Sequence, residues 1–194
     1  MTFEMKKVLF ILALCAVPAL MAFMAPKAGD LEISFNYDKK PGAGSNQYAV
    51  WIENAQGEVV KTLFVTQFTS KGRVRGGTRE RGYTFRPTCM PTWVKHVKAE
   101  SLSDEQMDAF TGATPASSGL QTFTWDFTDQ AGKPVPGGEY RFYVEATYNG
   151  PSIVTYSGTV SSGQKAGDVQ FKTEYTEESE DRKDMVSNVR VRIL

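Results

Sequence analysis

The chain has 194 residues, 41% of them hydrophobic, and its 22 basic side chains are balanced by 22 acidic ones. That is enough for one domain with its own core, and the even charge excludes a protein built to neutralise a phosphate backbone, so nucleic acid is not an expected partner. Its two cysteines, one of them in an apolar opening run, exclude a disulfide framework, and no disulfide-linked partner is expected.

Lys6 and Lys7 precede an apolar stretch from Val8 to about Met24 that only Pro18 interrupts, and Ala22, Ala25 and Ala28 offer cleavage points. This pattern predicts a secretion signal over residues 1–25 and a periplasmic protein. An uncleaved membrane anchor is the rival reading, but the stretch is at the short end of a spanning length and contains a proline. Leu14 before Cys15 is too large for a lipoprotein signal, so no lipid anchor is expected. Losing Lys6, Lys7 and Glu4 with the signal leaves 20 basic and 21 acidic residues. Cys89 is then a lone thiol, read as a small buried side chain.

Residues 26–194 read as one domain made mostly of strands. Residues 31–37 alternate, with Leu31, Ile33, Phe35 and Tyr37 on one face. Residues 48–53 and 59–66 flank Asn54-Ala-Gln-Gly57, a tight-turn sequence. Residues 122–127, 140–148, 153–160, 169–175 and 186–193 follow, divided by Gly, Asn or charged clusters. The acidic run 177–184 is expected at a solvated hairpin tip. About eight short strands with turns between them predict an all-β, immunoglobulin-like sandwich.

Residues 71–119 break the strand pattern and are expected to form a loop-plus-short-helix insertion. They hold Arg73, Arg75, Arg79, Arg81, Arg86, Cys89, Trp93 and His96, the only histidine. Gly76-Gly77 reads as a flexible turn. Within 101–110, Ser103 and Gln106 form a capping-box pattern, Asp104 and Glu105 suit a first helical turn, and Gly112 suits the left-handed position past the end. A long non-strand insertion in a compact sandwich is usually functional. His96, between Lys95 and Lys98, reads as a surface or structural side chain on an exposed strand or loop. No nucleophile–histidine–acid set and no metal cluster is visible, so no catalytic residue is assigned.

The helix runs into Asp108-Ala-Phe-Thr111-Gly112-Ala113-Thr114-Pro115. Pro115 biases Thr114 towards an extended conformation, and Gly112 and Ala113 put little bulk beside it. The expected result is a slim strip that presents the Thr114 hydroxyl to another protein. This run resembles the flavinylation motif Asp-x-x-Ser/Thr-Gly-Ala-Thr of bacterial redox-pump subunits related to the sodium-translocating quinone reductase. The resemblance spans seven residues and every fixed position of the motif. It implies that a flavin transferase splits flavin adenine dinucleotide and leaves flavin mononucleotide (FMN) on Thr114 through a phosphoester. Asp108, Thr111, Gly112 and Ala113 would be the transferase's recognition residues. Arg86 and Arg81 are candidates to pair with the flavin's phosphate charge. Trp93, with Tyr83, Phe85 and Phe110, could either pack against the isoalloxazine ring or form a satellite core under the loop.

The wider chain is similar to a bacterial family of predicted periplasmic proteins. The likeness rests on Asn46-Gln-Tyr-Ala-Val-Trp51-Ile-Glu53, Lys61-Thr-Leu-Phe64, Trp93 and the Thr-Gly-Ala-Thr-Pro segment. Members occur beside PepSY-type membrane proteins, which implies electron transfer with a membrane redox partner. Trp125-Asp126-x-x-Asp129-x-x-Gly132-x-x-Val135-Pro136-x-Gly138-x-Tyr140 resembles the immunoglobulin-like hairpin of flagellar hook-capping proteins. There Trp125 would plug the core while Asp126 and Asp129 cap turn amides. The alternative to a flavin carrier is a cofactor-free immunoglobulin-like binding module that uses the 71–119 insertion as its contact surface.

Overall fold

The structure, a computed structural model, describes residues 26–42, 45–148, 152–176 and 184–194; the expected secretion signal and residues 177–183 of the expected acidic tip lie outside them. Strand β1 (Leu31–Tyr37) follows its alternation, with Leu31, Ile33, Phe35 and Tyr37 at most 1% exposed. It is joined by β2 (Gln47–Asn54), β3 (Val59–Thr66), the short β4 (Arg73–Arg75) and β5 (Thr78–Glu80), and β6 (Thr111–Gly112). Then come β7 (Gly119–Trp125), β8 (Glu139–Thr147), β9 (Ile153–Ser161), β10 (Gly167–Asp168), β11 (Lys172–Tyr175) and β12 (Val186–Ile193). One sheet has the order β10-β12-β1-β7 and the other β11-β9-β8-β2-β3-β6, while β4 and β5 form a separate hairpin. The protein is therefore an all-β sandwich whose core lies between the first two sheets.

Two expected strands change shape. The run 169–175 divides between the sheets, because β10 pairs with β12 and β11 with β9. Buried Val169 marks the crossing and donates its N–H to the Val191 carbonyl at 2.8 Å. The strand expected at 122–127 instead spans 119–125, pairing with β1 from Tyr37↔Gly119 to Leu31↔Trp125. Phe127 has φ +55° and turns the chain out of the sheet. Trp125 fills the core as expected, at 0% exposure, and Asp129 Oδ1 accepts from the amides of Ala131 and Lys133 at 2.9 Å each.

Strand β2 is buried on both faces. Tyr48, Val50 and Ile52 belong to the sandwich core, whereas Ala49 and Trp51 point the other way into a second core. A strand covered on both sides reads as a continuous apolar run, which is what Tyr48-Ala-Val-Trp-Ile52 is. The cover is α1 (Gln67–Lys71) and the insertion that follows it, with α2 (Gly82–Phe85), α3 (Pro91–His96) and α4 (Asp104–Asp108). Tyr83, Cys89, Met90, Trp93 and Met107 pack with Trp51 and Tyr143 beneath it. Cys89 is buried as expected, and burial pushes its thiol up to about 11 despite the Thr69 hydroxyl beside it. At Gly82 an added Cβ would lie 2.1 Å from the Phe68 carbonyl oxygen, so glycine is what lets α2 press against α1.

Two buried carboxylates fasten the insertion to the sheet. Glu145 of β8 accepts the Thr92 and Trp93 N–H groups at the start of α3, at 3.0 and 2.8 Å. Glu53, at the end of β2, accepts from Trp51 Nε1 at 2.8 Å and contacts His96 Nδ1. His96 thus lies on α3, half-buried against Glu53, and not on an exposed strand or loop; its role is to join two elements.

The insertion contains more strand than its sequence suggests. Gly76 and Gly77, at φ +58° and +82°, form the tip of the β4–β5 hairpin. Helix α4 is shorter than the expected 101–110, but its capping box is present: Gln106 N donates to Ser103 Oγ at 3.2 Å, and Ser103 N donates to Gln106 Oε1 at 2.9 Å. Gly112 is not in the left-handed position. It lies in β6, which pairs in parallel with β3 through Val65↔Thr111 and Thr66↔Gly112. A Cβ there would come within 2.1 Å of Phe64 Cε2, so close packing and not turn geometry accounts for the glycine.

Candidate functional site

The site forms where β6 gives way to the segment leading into β7. Because β7 pairs with β1, that segment lies beside the point where β1 leaves the sheet. Lys39, just past β1, fastens the two together. Its Nζ donates to the Ala116 carbonyl and its backbone N–H to Ser118 Oγ, both at 2.9 Å, while Ser118 Oγ donates to Asp38 Oδ1 at 3.2 Å. The Lys40 ammonium and Ser118 hold the Asp38 carboxyl below the usual carboxylate range.

A groove of about 450 Å³ opens beside this segment. Thr114, Pro115 and Ala116 line it together with Phe68, Arg73, Phe85 and Arg86. Tyr37, Lys39 and residues 45–47 complete it. Lys39, Arg73 and Arg86 make it cationic, and none of the residues lining it is acidic. The Arg73 guanidinium carbon sits 3.6 Å from the centroid of the Phe85 ring, a cation–π contact that covers one face of that ring. Arg86 makes no ion pair among the described residues.

The residues singled out in the sequence divide between structural duties and the groove. Asp108 pairs with Lys71 Nζ at 2.9 Å. Thr111 Oγ1 lies 2.6 Å from the Met107 carbonyl and 2.8 Å from Ser70 Oγ, which locks the end of α4 to α1. Ala113 is exposed and Thr114 half-buried, and the Thr114 hydroxyl makes no hydrogen bond among the described residues. Thr114 and Arg86 come together at the groove; Trp93 does not join them. Trp93 is 0% exposed in the second core, with Nε1 3.4 Å from Thr62 Oγ1, and is the satellite-core residue of the two readings open for it. Tyr83 is buried there too, whereas Phe85 alone of the four aromatic candidates reaches the groove. Arg81 is consumed inside the insertion, donating to the Ala99 and Leu102 carbonyls at 3.3 and 3.1 Å and to Asp104 at 2.8 Å. Tyr37, Lys39 and Phe68 were not singled out. Nothing local marks them, because β1, α1 and the Thr114 segment meet only in the fold.

The architecture defines a β-sandwich protein whose side insertion frames a cationic, aromatic-lined groove beside one threonine. The chain belongs to a family of predicted periplasmic proteins (DUF2271), whose family model matches residues 30–179, and it is periplasmic. No curated protein and no solved structure matches it. Among the described residues no helix is long and apolar enough to cross a membrane.

Proposed function

We propose that the chain is a periplasmic electron carrier that bears FMN through a phosphoester on Thr114. The observation that carries this reading is the groove itself: the motif's acceptor threonine opens onto cations and an aromatic wall. Lys39, Arg73 and Arg86 suit the remaining phosphate charge, and Phe85 suits a planar ring. In attachment the Thr114 O–H bond is replaced by an O–P bond as a flavin transferase cleaves flavin adenine dinucleotide; adenosine monophosphate leaves and the hydroxyl proton is lost. The flavin would supply the redox chemistry, and the protein the site and its electrostatics. Asp108, Thr111, Gly112 and Ala113 are the transferase's recognition residues on this reading. A membrane redox protein, of the PepSY type, is the proposed electron partner. Co-expression with a flavin transferase should add the mass of one FMN to the wild type and none to Thr114→Ala. A wild type of bare mass from cells with an active transferase would overturn the reading.

One observation favours a cofactor-free binding module instead. A second groove, of about 630 Å³, runs between β3 and the end of α4, with Val59, Val60, Val97, Leu102 and Phe110 among its lining residues. A partner that co-purifies with unflavinylated Thr114→Ala as well as it does with the wild type would support that alternative.

A further inference from the structure

Among the described residues, one buried side-chain polar atom has no hydrogen-bond partner: the hydroxyl of Tyr37. The residue is 1% exposed, yet it lines the groove onto which Thr114 opens. Folded proteins seldom leave such a group unpaired, so a buried orphan hydroxyl on a residue that lines an open groove points to a partner that the chain does not itself supply. The surroundings narrow that partner's chemistry. Phe68 and Phe85 offer apolar and aromatic surface, and Lys39, Arg73 and Arg86 offer positive charge, so a planar ring with acceptor atoms and an anionic tail fits.

Resting on the reading of Thr114 as an FMN carrier, we infer that the groove is a built, non-covalent site for the flavin ring and that Tyr37 is its positioning residue, donating its hydroxyl to an acceptor atom of the ring. Burial, and secondarily the charge of Asp38, keep that phenol protonated and therefore a donor. Attachment and ring binding are then separable. A chain that cannot be flavinylated still binds free FMN.

The test uses the mature protein carrying Thr114→Ala, with and without Tyr37→Phe, titrated with free FMN and followed by quenching of flavin fluorescence. Tyr37→Phe should weaken binding roughly tenfold, the loss of one hydrogen bond worth about 1.4 kcal/mol. The ligand-free Tm should stay the same or rise by up to about 3 °C, because a buried orphan hydroxyl has been removed. A hydroxyl with a structural role would move the second readout the other way. A fall in the ligand-free Tm, unchanged FMN affinity, or no FMN binding by Thr114→Ala overturns the inference. Absence of covalent FMN on the wild type overturns the attachment reading instead and leaves this titration to stand by itself.

Discussion

Replacing Gly112 by alanine separates what the fold requires of the Thr-Gly-Ala-Thr segment from what a modifying enzyme requires. The added Cβ would lie 2.1 Å from Phe64 Cε2 and 2.9 Å from its Cδ2. Phe64 has little room to yield, since its ring stacks on Tyr48 at 5.0 Å and packs against Phe123 at 5.3 Å. The clash must be relieved by shifting β6 off β3, which strains the Val65↔Thr111 and Thr66↔Gly112 pairs two residues before Thr114. Overpacking of this kind costs about 1–3 kcal/mol. For a chain of this size that lowers Tm by roughly 3–10 °C. Thermal unfolding of the unmodified Gly112→Ala protein, followed by near-ultraviolet circular dichroism, measures it. A Tm equal to that of the wild type would refute the close-packing account and leave Gly112 with a recognition role alone.

Two further substitutions probe the insertion and the groove. Burial pushes the Glu145 carboxyl up to about 7 from an ordinary 4.5, against the Trp93 and Thr92 hydrogen bonds that favour its charged form. The folded chain therefore holds an extra proton between those values, and stability falls as pH rises through that window, by about 1.4 kcal/mol per pH unit and about 3 kcal/mol in all. Glu145→Gln should flatten this part of the pH dependence of Tm, and parallel profiles for the two proteins would contradict the assignment. Arg86→Ala should weaken binding of free FMN about three- to tenfold, a half-exposed charge contact, while leaving riboflavin binding unchanged. An equal loss for both ligands would place Arg86 away from the phosphate.

Most of the longer strands were legible because each carries a local signal: alternation in β1, the Asn54–Gly57 turn between β2 and β3, and charged or glycine breaks elsewhere. The run 169–175 was not, because nothing local marks its division between the sheets. Residues 48–53 read only as a strand beside the Asn54–Gly57 turn; that both faces of β2 are covered emerges only once the fold is assembled. The insertion was less legible. Its helices are one or two turns long, too short for periodicity to separate Phe85, which reaches the groove, from Tyr83 two residues earlier, which is buried. The same holds for the arginines, where Arg81 is spent on the Ala99 and Leu102 carbonyls while Arg86 is left at the groove. Tyr37 and Lys39 reach the site from the end of β1, with Lys39 79 residues before its partner Ser118, so only the pairing of β1 with β7 brings the two together. The carboxylates that fasten α3, Glu53 and Glu145, stand at ordinary outward-facing strand positions, and they become buried only because the insertion folds over them.

Flavin on Thr114 is tested most directly by intact mass and visible absorption of the protein isolated from its own periplasm, with peptide fragmentation to locate any adduct. A yellow protein heavier by one FMN, with the added mass on the peptide bearing Thr114, is the predicted result. A colourless protein of bare mature mass, from cells with an active flavin transferase, would contradict it.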